Sequence, residues 1–216
     1  MIVALSTFLV IGCAKEKIET ANCEVTELQS GQDIEYIFPK TIGSYWVYNW
    51  YQIDSLGVET QMSHIDSTII TGDSIINGHL FTIYEESFFG NFTTKFKRDS
   101  SGYIINQFGE IEYSYLDFDN TLSSSTYAPY YNLISKMVDK LDTPIEVPGG
   151  VFQTIELQTH ITNINGSAIS SCAGDTITMP TNYATTVGKV KKVISYISSI
   201  PNCQYQEQRL VTYHIP

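Results

Sequence analysis

From Tyr36 to its end, the chain is punctuated too often to build a helical or α/β domain. Runs rich in Tyr, Phe, Ile, Val and Thr are interrupted by Gly, Pro, Asn or Asp roughly every 8–15 residues. A βαβ fold needs a helix between successive strands, and this spacing leaves no room for one each time. The expectation is an all-β, mainly antiparallel domain in meander order. Ser44–Ile53 (SYWVYNWYQI) is its strongest strand. Tyr45, Val47, Asn49 and Tyr51 would point one way and Trp46, Tyr48 and Trp50 the other. Both faces are aromatic, which predicts cover on both sides.

Further strands are expected at Thr60–Thr71, His79–Ser87, Phe92–Asp99, Tyr103–Phe108 and Glu110–Leu116. Asp54–Gly57, Gly72-Asp73, Asn77-Gly78, Gly90-Asn91, Ser101-Gly102 and Gly109 would be the breaks. A longer connection, Asp117–Asp142, follows. Within it Tyr130–Leu141 places Leu133, Met137, Val138 and Leu141 at helical spacing, which predicts one short helix. Strands resume after Pro148-Gly149-Gly150. Val151, Ile155, Leu157 and Ile161 alternate with Glu156, Gln158, His160 and Thr162, the pattern of a half-buried strand. Lys189–Ser198 and Gln204–Ile215 close the series. No internal repeat of fixed period is present.

The amino-terminal end is of another kind. Ile2–Ile11 (IVALSTFLVI) carries no charge. As a helix it would be about 15 Å long, half of a bilayer core of ~30 Å, so it is too short to span. It has the length of the apolar region of a secretory signal. Val10-Ile11-Gly12-Cys13 follows at once, and this resembles the lipobox of bacterial lipoproteins. The resemblance implies diacylglycerol on the Cys13 sulfur, cleavage before Cys13 and acylation of the new amino group. Two or three acyl chains, at about 0.8 kcal/mol per buried CH₂, make a stable anchor. No Lys or Arg precedes the apolar run, so a basic region is expected upstream of Met1. Residues 1–12 are thus read as a signal peptide, 13–35 as a lipidated cysteine and flexible tether, and 36–216 as the β domain. The absence of Asp just after Cys13 implies sorting to the outer membrane, facing the periplasm or the cell surface.

Four further pieces resemble a type of Bacteroidetes outer-membrane lipoprotein that carries no assigned activity. They are Phe38-Pro39 with Gly43, Trp46 and Tyr48; Asp66-Ser67 with Ile76-Asn77-Gly78; Val147-Pro148-Gly149-Gly150-Val151-Phe152; and Tyr183 with Val187-Gly188-Lys189-Val190-Lys191. The resemblance implies a curved sheet, a half-barrel or open barrel. It transfers no functional residue.

Candidate chemistry is sparse. Cys172 and Cys203 stand in loop-like contexts, and an oxidising compartment favours a bridge over two free thiols; closing a loop of about 30 residues contributes roughly 3–4 kcal/mol. Cys23 is left over in the tether. His64, His79, His160 and His214 are isolated, and no zinc or EF-hand spacing occurs, so no metal or cofactor is expected. Asp117-Phe118-Asp119-Asn120 reads as turn capping, and Ser123–Ser125 lacks the context of a hydrolase nucleophile. Asp54-Ser55, Asp66-Ser67, Asp73-Ser74 and Asp175-Thr176 resemble the Bacteroidetes O-glycosylation acceptor, which implies Ser55, Ser67, Ser74 and Thr176 as sites. A net charge of −11 with 12 basic residues argues against nucleic acid. Fifteen tyrosines supply either core or the wall of a ligand groove. The expected function is a lipid-anchored, non-enzymatic envelope domain that binds an apolar or glycan ligand or serves structure. The alternative is a glycan-directed hydrolase with acids from separate strands, marked by two carboxylates about 5–10 Å apart in a cleft.

Overall fold

The computed structural model describes residues 38–170, 176–185, 187–195 and 204–216, with the backbone alone for 139–143. Twelve strands form one antiparallel sheet: β1 Tyr45–Ile53, β2 Glu59–Ile76, β3 His79–Phe88, β4 Asn91–Ser100, β5 Tyr103–Asn106, β6 Ile111–Ser114, β7 Thr121–Tyr127, β8 Tyr131–Val147, β9 Gly150–Asn163, β10 Thr178–Ala184, β11 Gly188–Ser195 and β12 Tyr205–His214. Their order is β6-β5-β4-β3-β2-β1-β12-β11-β10-β9-β8-β7. Two meanders therefore meet at a β1–β12 seam. The edge strands β6 and β7 come close without sharing a ladder, so the sheet curls into a nearly closed barrel. Stagger drives the curl. β2 pairs with β1 over Glu59–Ile69 and with β3 over Thr68–Ile76, so its two neighbours overlap by only two residues.

Local chemistry sets the turns. Asn77 and Gly78 both take positive φ (51° and 79°), the two-residue turn that matches the twist of a hairpin. Phe89 and Gly90 adopt the same shape at 48° and 78°. A bulky residue there is strained, and Phe89 is held by stacking on Trp50 with ring centroids 4.4 Å apart.

The core lies inside the curl. Trp46, Tyr48 and Trp50 of β1, Ile70 of β2, Tyr84 of β3, Ile155 and Leu157 of β9, and Leu210 of β12 are all buried. A fully buried side chain of this kind contributes roughly 2 kcal/mol.

The structure corrects the expectations at four places. The segment read as a short helix, Tyr130–Leu141, is the start of β8. Leu133 and Met137 are four apart, a spacing that shares a face in a helix and in a strand alike. Only Val138 distinguished the two, and it is 40% exposed while Met137 is fully buried. Gly72-Asp73 does not end β2; the chain passes it with a bulge between Ile70 and Gly72. β1 is covered on one face: Tyr45 is exposed, and Val47, Asn49 and Tyr51 are half-buried. Finally, β7 and β10 were not anticipated, being rich in Ser, Thr and Pro.

Candidate binding site

A cavity of about 340 Å³ opens within the curl, at the lower end of the range for small-molecule sites. Two β1 side chains fix its geometry by reaching past β12 to the start of β11. Trp46 Nε1 donates to the Val187 carbonyl at 2.7 Å, and the Tyr48 hydroxyl donates to the Lys189 carbonyl at 3.0 Å. The Tyr84 hydroxyl donates to the Pro39 carbonyl, and Phe38 packs on the rings of Tyr84 and Tyr113. Tyr113 in turn stacks on Tyr183, centroids 4.1 Å apart. Two of the segments singled out in the sequence, Phe38–Tyr48 and Tyr183–Lys191, thus converge here from opposite ends of the domain. The others serve architecture: Asn77-Gly78 makes a hairpin turn, and Gly149 N–H donates to the Leu210 carbonyl at 2.9 Å.

Four lysines and two glutamates line the cavity: Lys95 and Lys97 from β4, Lys189 and Lys192 from β11, Glu86 from β3 and Glu112 from β6. Lys97 Nζ lies between the carboxylates, 2.8 Å from Glu86 and 3.0 Å from Glu112, and Lys95 is 2.8 Å from the other Glu86 oxygen. Burial would raise the Glu86 pKa, but Lys97, Lys189 and Lys95 outweigh it and hold the carboxyl far below the usual range. Burial lowers the Lys97 pKa, yet Glu112 and Glu86 carry it well above its ordinary value. Among the described residues Lys189 has no such pairing. Burial, which Glu86 only partly counters, takes its pKa down to about 7, and Lys192 is lowered for the same first reason. Burial pushes the hydroxyls of Tyr48, Tyr84, Tyr113 and Tyr183 up, so lysine and glutamate alone set the charge of the cavity near neutral pH.

No family profile matches the chain, and no curated protein sequence matches it. Solved structures do. One, from Bacteroides fragilis, is named provisionally as an exported protein with a YmcC-like fold; identity is 13%, the match covers 83% of this chain and 99% of that one, and the TM-score is 0.49. Another, from Parabacteroides distasonis, is named provisionally as a lipoprotein; identity is 10%, coverage 83% and 98%, and the TM-score 0.47.

The hydrolase alternative meets its distance criterion, but a lysine fills the gap between the two acids. Sharing Lys97 brings Glu86 and Glu112 within about 6 Å of each other, near the spacing of retaining glycosidases. Such a pair needs one carboxylic acid that keeps its proton near neutrality. Here Lys97 occupies the gap between the two and ion-pairs with both, where a glycosidic bond would have to lie. A second buried acid, Asp66, accepts from Trp50 Nε1 at 2.6 Å and Gln208 Nε2 at 2.9 Å, which is a packing role.

The residues singled out from sequence lie elsewhere. Cys13, Cys23, Cys172 and Cys203 fall outside the described residues. Ser55 is exposed in the β1–β2 turn, where Asp54 caps the N–H groups of Leu56 and Val58. Ser67 is exposed on β2, Ser74 is half-buried on the same strand, and Thr176 is exposed and bridged to Ser170. Asp117 does cap its own turn, accepting from the N–H groups of Asp119 and Asn120. His64 meets the Phe89 ring edge-on and His214 packs on Tyr45; no grouping of three metal-ligand side chains occurs among the described residues.

The cavity lysines escaped sequence reading because their strands run against the usual pattern. In β4, Thr93, Lys95 and Lys97 alternate with Phe92, Thr94 and Phe96, which reads as a polar face in water. The structure reverses this: Phe92 is 81% exposed and the Lys97 side chain 12%. In β11 the register slips, Asn182 and Tyr183 facing Lys191 and Lys189. The extra residue, Val190, turns Lys189 and Lys192 to the same cavity while Lys191 pairs with Glu207 outside it. The one available signal was the uneven lysine spacing in Gly188-Lys-Val-Lys-Lys-Val193.

Proposed function

We propose that this protein is a lipid-anchored component of the bacterial envelope whose β domain binds a small ligand inside its curled sheet. The cavity carries the reading: it is concave, walled by aromatic rings whose polar tips are tied to the backbone, and of the size of a small-molecule site. The apolar run before Cys13 supports the anchor, and outer-membrane sorting follows from the residues after it. A bridge between Cys172 and Cys203 and glycans on Ser55, Ser67, Ser74 and Thr176 belong to the same proposal, as consequences of export. Radiolabelled palmitate tests the address: incorporation into the wild type and none into Cys13→Ala is expected, and equal labelling of both would remove the anchor. The binding role is tested by titrating the protein with candidate ligands while following Trp46, which lines the cavity. A saturable change in tryptophan emission that Trp46→Phe abolishes is the expected result.

A further inference from the structure

We propose that the cavity recognises a small anionic ligand, a molecule carrying a carboxylate or phosphate, and that Lys189 and Lys192 take up its charge. This rests on the binding reading above and specifies the ligand.

The argument begins with charge. The chain as a whole is acidic, at −11, yet four of its 12 basic residues line one cavity with only two carboxylates beside them. Lys95 and Lys97 account for Glu86 and Glu112. Lys189 and Lys192 form no ion pair among the described residues and face aromatic rings instead. Lys189 Nζ lies 4.5 Å from the Tyr48 centroid and Lys192 Nζ 5.7 Å from that of Phe88. A cation withdrawn from water without a counter-charge is costly, and cation–π contact offsets only part of that cost. The backbone also departs from regularity to place them, since without the bulge at Val190 the two could not share a face. An anion between the ammoniums supplies what the protein leaves out. The tyrosine rings around it suit a sugar ring or a short acyl chain as the body of the ligand.

Calorimetry on the full chain, purified in detergent at low salt, tests this with two matched pairs. Dodecanoate is compared with 1-dodecanol, and digalacturonate with galactobiose. The expected result is that the acid of one pair binds at least tenfold more tightly than its neutral partner, which also separates an acyl from a glycan source. Lys189→Met and Lys192→Met should each weaken that acid at least tenfold, and the double variant should bind acid and neutral partner alike. Lys40→Met, an exposed site outside the cavity, controls for net charge and should change neither. Equal affinity of acid and neutral partner in the wild type, or discrimination that survives the double variant, would overturn the anion assignment and leave the binding reading standing. If no member of either pair binds, both are overturned.

Discussion

Two lysines in one cavity should answer the same substitution with opposite sign. Lys97→Met removes the cation between Glu86 and Glu112 and leaves two half-buried carboxylates facing each other. Breaking such a cluster costs about 3 kcal/mol, read as a lower urea midpoint with unchanged slope. Lys189→Met removes a charge that the fold disfavours. With its folded pKa near 7 against 10.5 unfolded, the unfolded chain holds the extra proton between those values, so wild-type stability rises with pH across that window. Glu86, Lys95, Lys97, Lys192, Tyr48 and Tyr183 all face Lys189, and of these only the Glu86 carboxylate and, more weakly, the Tyr48 ring favour its charge. The variant should therefore be more stable by about 1–2 kcal/mol below pH 7, a figure reduced because the side chain keeps some contact with water. The gain should fade towards pH 10.5. Thermal melts at pH 6 and pH 10 check this; an equal effect at both would show that Lys189 carries no burial penalty. A gain in stability on loss of Lys189, which a bulge holds at the cavity, is the outcome expected of a residue kept for the proposed binding rather than for packing.

At the level of elements, β8 offers a sharp comparison. Met137 is fully buried and its neighbour Val138 is 40% exposed. Met137→Ala should cost about 2–4 kcal/mol and Val138→Lys less than about 0.5 kcal/mol in chemical denaturation. Were the segment helical, Val138 would sit beside Ile134 and Leu141 at the edge of an apolar stripe, and the lysine would be costly too. This is also where the sequence was least legible. The strands of the first meander, the hairpin at Asn77-Gly78 and the capping by Asp117 could be read because turn chemistry and alternation act over a few residues. The helix was misread because spacings of four satisfy both periods. β7 and β10 were missed because Ser, Thr and Pro say little about pairing when the partner strand supplies the apolar face. The cavity was illegible for a different reason. Its lysines belong to a face that alternation assigns to solvent, and only the closure of the sheet, set by stagger over many strands, turns that face inward.

On the scale of the whole molecule, every ladder but one among the described residues joins strands adjacent in the chain; β1–β12 is the one ladder there that ties one meander to the other. That seam lies at the middle of the sheet, whereas the short strands β5 and β6 lie at an edge. Hydrogen exchange followed by mass spectrometry should find the amides of β1 and β12 slowest and those of β5 and β6 fastest, because opening from the edge breaks the fewest contacts. Uniform protection across the sheet would contradict this. The seam also sets an order of events. β12 is synthesised after every other described strand, and until it arrives β1 has only β2 beside it, with Trp46 and Tyr48 aimed at a wall not yet attached. On the proposed export route, a chain threaded unfolded through the membrane keeps β1 half-paired until β12 emerges. Joining of the two meanders waits for that strand.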